Sequence, residues 1–146
     1  MMIKFCGVFI VLMLSVAVFS AANGGDVVDG MALAGNTLTA VTWVPHSAAT
    51  RGSGVLNRLM FQAYLRLNSV ALIRVWDTDR NAYTRPIERN WSFYGTRLCL
   101  DLPSPGPGRI CADVHSWGPR IAGIGTAPYV MLDGDLKPGN ALLATR

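Results

Sequence analysis

Alternation of apolar with polar residues is the dominant pattern of the chain. Arg97 to Leu102 reads Arg, Leu, Cys, Leu, Asp, Leu, and Arg109 to Val114 reads Arg, Ile, Cys, Ala, Asp, Val. A period of two sends successive side chains to opposite faces, so each stretch is a strand with one apolar face. Between them, Pro103-Ser104-Pro105-Gly106-Pro107-Gly108 cannot extend either strand. Its prolines lack the donor N–H and its glycines admit positive φ. The two strands therefore fold back as a hairpin, which sets Cys99 across from Cys111 or one position away. That is within reach of a cross-strand disulfide. Closing so short a loop is worth roughly 3 kcal/mol in the chain-entropy picture.

The same pattern recurs along the chain. Gly30 to Ala34 reads as one helical turn, followed by a turn at Gly35-Asn36 and a β-prone stretch to Trp43; Pro45 to Gly54 is a loop. Val55 to Val75 admits two periods, because Arg58, Gln62 and Arg66 fall at helical spacing whereas Phe61, Ala63, Leu65 and Leu67 alternate. Asn68-Ser69 decides the matter as a turn between strands Met60–Leu67 and Val70–Trp76. Asp77 to Asn81 turns the chain, Tyr83 to Ile87 and Asn90 to Tyr94 are short strands, and Gly95-Thr96 ends the second. His115 to Gly125 is broken by glycines, Tyr129 to Leu132 is a short strand, and Asp133-Gly134-Asp135 turns again. Strands at intervals of roughly 8–12 residues predict an all-β, antiparallel barrel or sandwich. It forms one domain over residues 31–146.

The first 22 residues follow another rule. Lys4 supplies a positive charge, Phe5 to Phe19 is an unbroken apolar run, and small residues follow to Ala22. The run is shorter than the roughly 20 residues a spanning helix needs. Ser20 and Ala22 satisfy the small-residue rule of a secretory signal peptide, which predicts cleavage after Ala22. Residues 23–30 then form a flexible lead-in, and membrane contact arises only if the leader stays uncleaved. Cys6 leaves with the leader, so Cys99 and Cys111 meet each other in an oxidising compartment. Part of the 51% hydrophobic content belongs to the leader, and losing Lys4 lowers the net charge from +4 to +3. The arginines are scattered from Arg51 to Arg146, without the run that tracks a phosphate backbone, so nucleic acid is excluded as a partner.

Chemistry-bearing residues are few. Asp77, Asp79, Asn81 and Glu88 fall at the first, third, fifth and twelfth places of an EF-hand calcium loop. Ala82 replaces its glycine, however, and strands rather than helices flank it. A connection rich in Asp and Asn explains the spacing equally well. The two histidines, His46 and His115, lie beside loop signals. His115 with Asp113 or Asp101 would be the centre of a small hydrolase or metal-dependent enzyme, yet no nucleophile elbow accompanies them. Aromatic residues offer a stacking face instead: Trp76, Tyr83 and Trp91, with Arg85 and its neighbours Arg74 and Arg89, would hold a glycan or a small apolar ligand. No motif calls for a cofactor.

Two short resemblances complete the picture. Asp135-Leu136-Lys137-Pro138-Gly139-Asn140 resembles the catalytic loop of protein kinases, which would make Asp135 a base and Asn140 a magnesium ligand. The match stops at those six residues, and turn chemistry accounts for them. Gly35-Asn36-Thr37-Leu38-Thr39, Asn90-Trp91-Ser92, Gly95 to Cys99, Cys111, Asp133-Gly134 and Gly139-Asn140 together resemble small, exported, single-domain alphaproteobacterial proteins of unknown function. That resemblance implies a periplasmic location and an antiparallel β fold, and it carries no catalytic residues. The sequence thus predicts a periplasmic or secreted non-enzymatic module that binds an envelope protein, a glycan or a small apolar ligand.

Overall fold

The computed structural model describes residues 26–28, 30–45, 56–126 and 129–143. The leader expected at 1–22, His46, and the expected loop beyond Pro45 lie outside these residues. The elements are β1 (Asp26–Val27), α1 (Gly30–Leu33), β2 (Asn36–Pro45), β3 (Leu56–Leu65), β4 (Val70–Asp77), β5 (Ala82–Tyr83), β6 (Ile87–Tyr94), β7 (Arg97–Leu102), β8 (Gly108–Trp117), β9 (Arg120–Thr126) and β10 (Tyr129–Pro138). Strands β2, β3, β4, β6, β7, β8, β9 and β10 each pair antiparallel with the next, and β10 returns to pair with β2. The fold is therefore a closed, eight-stranded, up-and-down barrel. β5 adds to the end of β4, and β1 pairs with the end of β8 through Asp26 with Ser116 and Val27 with His115. Part of the lead-in expected at 23–30 is thus paired, and the helical turn expected at Gly30 is α1.

Closure follows from the alternation. Leu38 and Ala40 of β2, Phe61 and Ala63 of β3, Ile73 and Val75 of β4, Leu100 of β7, Ile110 and Val114 of β8, and Val130 and Leu132 of β10 all face inward and are buried. An eight-stranded barrel is just wide enough for such side chains to fill it. The outer face of β6 shows Glu88, Asn90 and Ser92 to solvent. The apolar interior is the reverse of the polar lumen of a membrane-spanning barrel. At one end α1 sends Leu33 fully into the core. Beside it, Thr37 Oγ1 donates to the Gly139 carbonyl at 2.7 Å and accepts from the Ala141 N–H at 2.9 Å, which ties the last described turn over the same opening.

The stapled hairpin is β7 and β8. Cys99 and Cys111 stand directly opposite in register, 4.1 Å apart at Cα, with their sulfurs bonded. A disulfide of this kind implies an oxidising, non-cytoplasmic compartment. The hairpin at Asn68-Ser69 is also present. Ser69 takes a φ of 62° and Asn68 Oδ1 accepts the Val70 N–H. β3 stops at Leu65, however, and Leu67, expected within the strand, lies 75% exposed in the turn.

The strand expected over Tyr83–Ile87 is instead the end of β5 and the start of β6, and two further stretches differ from expectation through glycine. Asp133-Gly134-Asp135, expected to turn, lies inside β10 opposite Val41, Ala40 and Thr39 of β2. A Cβ at Gly134 would sit 2.5 Å from Ala40 Cβ and from the Thr39 carbonyl oxygen, so this glycine permits close approach at the closing seam. Likewise, the expected break from His115 to Gly125 is the end of β8, a turn at Gly118-Pro119, and the whole of β9. Only Gly118, at a φ of 60°, behaves as a turn residue there.

Candidate ligand-binding site

A broad depression lies on the outer wall of the barrel, beside the buried inner faces of the strands. It encloses about 540 Å³ over β8, β9, β10 and the end of β2. The strand register builds it. Asp113, Ile124, Met131 and Trp43 stand side by side across the four strands, and His115, Ala122, Asp133 and Val41 form the next row. Trp117 is paired with Arg120 in the row after that. β9 contributes Ala122, Gly123 and Ile124, so the wall is low there, while Trp117, His115, Met131 and Trp43 rise around it. Ile124 is 54% exposed, Trp117 48% and Met131 38%. Clustered exposure of large apolar side chains marks interaction surfaces, whereas single exposed residues are ordinary.

Charge is distributed unevenly around the groove. The Arg120 guanidinium grips Asp133 through two hydrogen bonds, Nε to Oδ1 and Nη2 to Oδ2, each 2.9 Å. The Asp133 hydrogen bond, helped by its charge and that of Asp135, holds the guanidinium pKa above its ordinary value, so Arg120 stays charged. Asp113 accepts a hydrogen bond from Thr96 Oγ1 at 3.2 Å and forms no ion pair among the described residues. His115 is half-buried, with its ring 6.5 Å from that of Trp117 and tilted by 54°. His115 and Asp113 share one face of β8, as strand alternation requires. No hydrogen bond from a described Ser, Thr or Cys reaches the imidazole.

No protein-family model, curated protein or solved structure matches this chain.

The residues singled out from the sequence scatter around the barrel. Trp76 and Tyr83 do stack, edge to face at 5.1 Å, with the Arg74 guanidinium 4.8 Å over the Tyr83 ring. Arg74 also donates to Gln62 Oε1, and Gln62 to Thr39 Oγ1, so a polar ladder runs across β4, β3 and β2. Arg85 is exposed beyond β5, outside this stack. Trp91, expected on a ligand face, is a core residue, 7% exposed, whose indole N–H donates to the Arg66 carbonyl at 2.9 Å. It marks the point where β6 leaves β4 to pair with β7.

The calcium arrangement does not assemble. Asp77 Oδ1 accepts the Asp79 and Arg80 N–H groups in a tight turn, while Glu88 lies opposite Leu72 and pairs with Arg66 at 2.7 Å. Leu72 is five residues from Asp77 along β4, about 16 Å at strand rise. Among the described residues no three His, Cys, Asp or Glu side chains converge as a metal site would need. Asp101 pairs with Arg109 at 2.8 Å, six residues or about 20 Å from His115 along β8. The kinase-like residues are structural: Asp135 lies within β10 opposite Thr39, and Asn140 Oδ1 accepts the Leu142 N–H. What the sequence reading missed is the groove. Its signal was the small-residue run Ala122-Gly123-Ile124-Gly125, which looks like a break until β9 is paired on both sides.

Proposed function

We propose that this protein is a non-enzymatic binding module, exported to the periplasm or secreted, that holds an apolar ligand on its outer wall. The observation that carries the reading is the groove around Ala122, walled by Trp43, His115, Trp117, Ile124 and Met131, beside the buried inner faces of the strands. A volume of about 540 Å³ suits one small molecule. Export is supported by the leader-like run before Ala22 and by the Cys99–Cys111 disulfide. The resemblance to small exported alphaproteobacterial proteins agrees with that location.

The test is titration of the oxidised protein with a neutral apolar dye, phenylnaphthylamine. Saturable binding is expected, and Ala122→Trp, which raises the groove floor on an outward position of β9, should abolish it while leaving the circular dichroism spectrum unchanged. Absence of saturable binding, or binding that survives the filled floor, would overturn the assignment.

A further inference from the structure

The groove's charge points to a narrower class of ligand; the inference rests on the groove being a ligand site. Its two acidic wall residues differ in kind. Asp133 is neutralised by Arg120, which donates two hydrogen bonds to that carboxylate. Among the described residues, Asp113 has the Thr96 hydroxyl as its hydrogen-bond partner. Arg97 faces it in the β7 register yet forms no ion pair with it, and stands on the side of β8 away from the groove. Asp135, in register with Arg120, adds a further carboxylate next to the groove. The chain as a whole carries +4. Charges farther than the roughly 8 Å Debye length at physiological salt are screened, so the field a ligand meets is local: Asp113, Asp133 and Asp135 against Arg120, Arg97 opposite Asp113 and Arg58 opposite Trp43.

Position matters as much as sign. Asp113 and Trp117 lie four residues apart on one face of β8, about 13 Å, and Asp113 and Trp43 are three strands apart, about 14 Å. Between these points the surface is Ile124, Ala122 and Met131. A free carboxylate at one corner with an apolar floor leading to two indoles is complementary to a molecule with a cationic head and an apolar body.

We propose that the groove binds an amphipathic cation, with an ammonium group against the Asp113 carboxylate and an aryl or alkyl body over Ala122 toward Trp43 and Trp117. An anionic head would meet Asp113 with like charge, and at Arg120 it would meet a guanidinium whose charge Asp133 already offsets.

Three probes that share one phenylbutyl body and differ in head charge test this: phenylbutylammonium, phenylbutanol and 5-phenylvalerate, followed by tryptophan fluorescence and by amide shifts in β8 and β9. Ammonium is expected to bind about fivefold more tightly than the alcohol, the upper range for a charge pair that stays exposed. The carboxylate should bind most weakly. Asp113→Asn should equalise ammonium and alcohol, and added salt should narrow the gap between them in the unmodified protein. Equal affinity for ammonium and alcohol, or a preference that survives Asp113→Asn, would overturn the cation assignment while leaving an apolar groove intact. Failure of all three probes to saturate would overturn both this inference and the binding function on which it rests.

Discussion

At the scale of single residues, the smallest side chains shape the surface. β9 reads Arg120-Ile121-Ala122-Gly123-Ile124-Gly125-Thr126. Its inward glycines press it against β8, and its outward Ala122 leaves the depression that larger neighbours surround. Gly125 is the tightest of these positions, since a Cβ there would run into the Cys111 carbonyl oxygen, a backbone atom that cannot swing aside. Gly125→Ala should therefore destabilise the fold by about 1–3 kcal/mol, the usual cost of overpacking. A lowered urea midpoint with an unchanged m-value would show it. A midpoint equal to that of the unmodified protein would mean that β9 does not pack as described. Such residues are also the least legible in a sequence. Glycine is both the turn former and the residue of close approach, and local pattern cannot separate the two uses; Gly118 is one and Gly134 the other. Trp91 misled for a related reason, because its large apolar body with one polar tip suits a wet face and a core with a carbonyl to satisfy alike.

At the scale of elements, β8 joins stability to the groove. Cys111, Asp113, His115 and Trp117 occupy alternate positions and so share its outer face, which places the disulfide on the same ridge as one wall of the site. The bond closes a loop with a sequence separation of 12. Replacing both cysteines by serine should lower unfolding free energy by roughly 3 kcal/mol, the chain-entropy value for a loop of that size. The β7 and β8 pairing should persist, because Leu98, Leu100, Ile110 and Ala112 still bury their inner faces. Denaturant unfolding and amide exchange along β8 would measure the two effects separately. Loss of the far-ultraviolet β signal in the double variant would show that the staple, and not the buried face, defines the hairpin. This element was the most legible of all. Two alternating stretches around a loop of three prolines predict the hairpin and bring Cys99 within one position of Cys111, and the structure sets the two directly opposite. The groove was not legible, because it depends on registers between strands far apart in sequence. Trp43 and Met131 are neighbours only once β10 closes on β2.

At the scale of the molecule, closure of the barrel decides where function can reside. The seam between β2 and β10 runs from Asn36–Pro138 to Trp43–Met131 and unites the first and last strands of the ring. It removes the two edges an open sheet would present, and it brings Trp43 to the groove. Gly134 holds that seam close, since any side chain there meets Ala40 Cβ and the Thr39 carbonyl oxygen at 2.5 Å. Gly134→Val should force β10 away from β2, leaving unpaired N–H and C=O groups on both strands as a template for other chains. The expected result is loss of monomer on size exclusion, with growth of larger species and a loss of dye binding as Trp43 separates from Met131. Gly134→Ala should lie between the two, because one methyl meets the same atoms with fewer carbons to accommodate. A monomeric valine variant of ordinary stability would show that closure tolerates a wider seam. A site formed only across that seam would then require another explanation for how Trp43 reaches the rest of the wall.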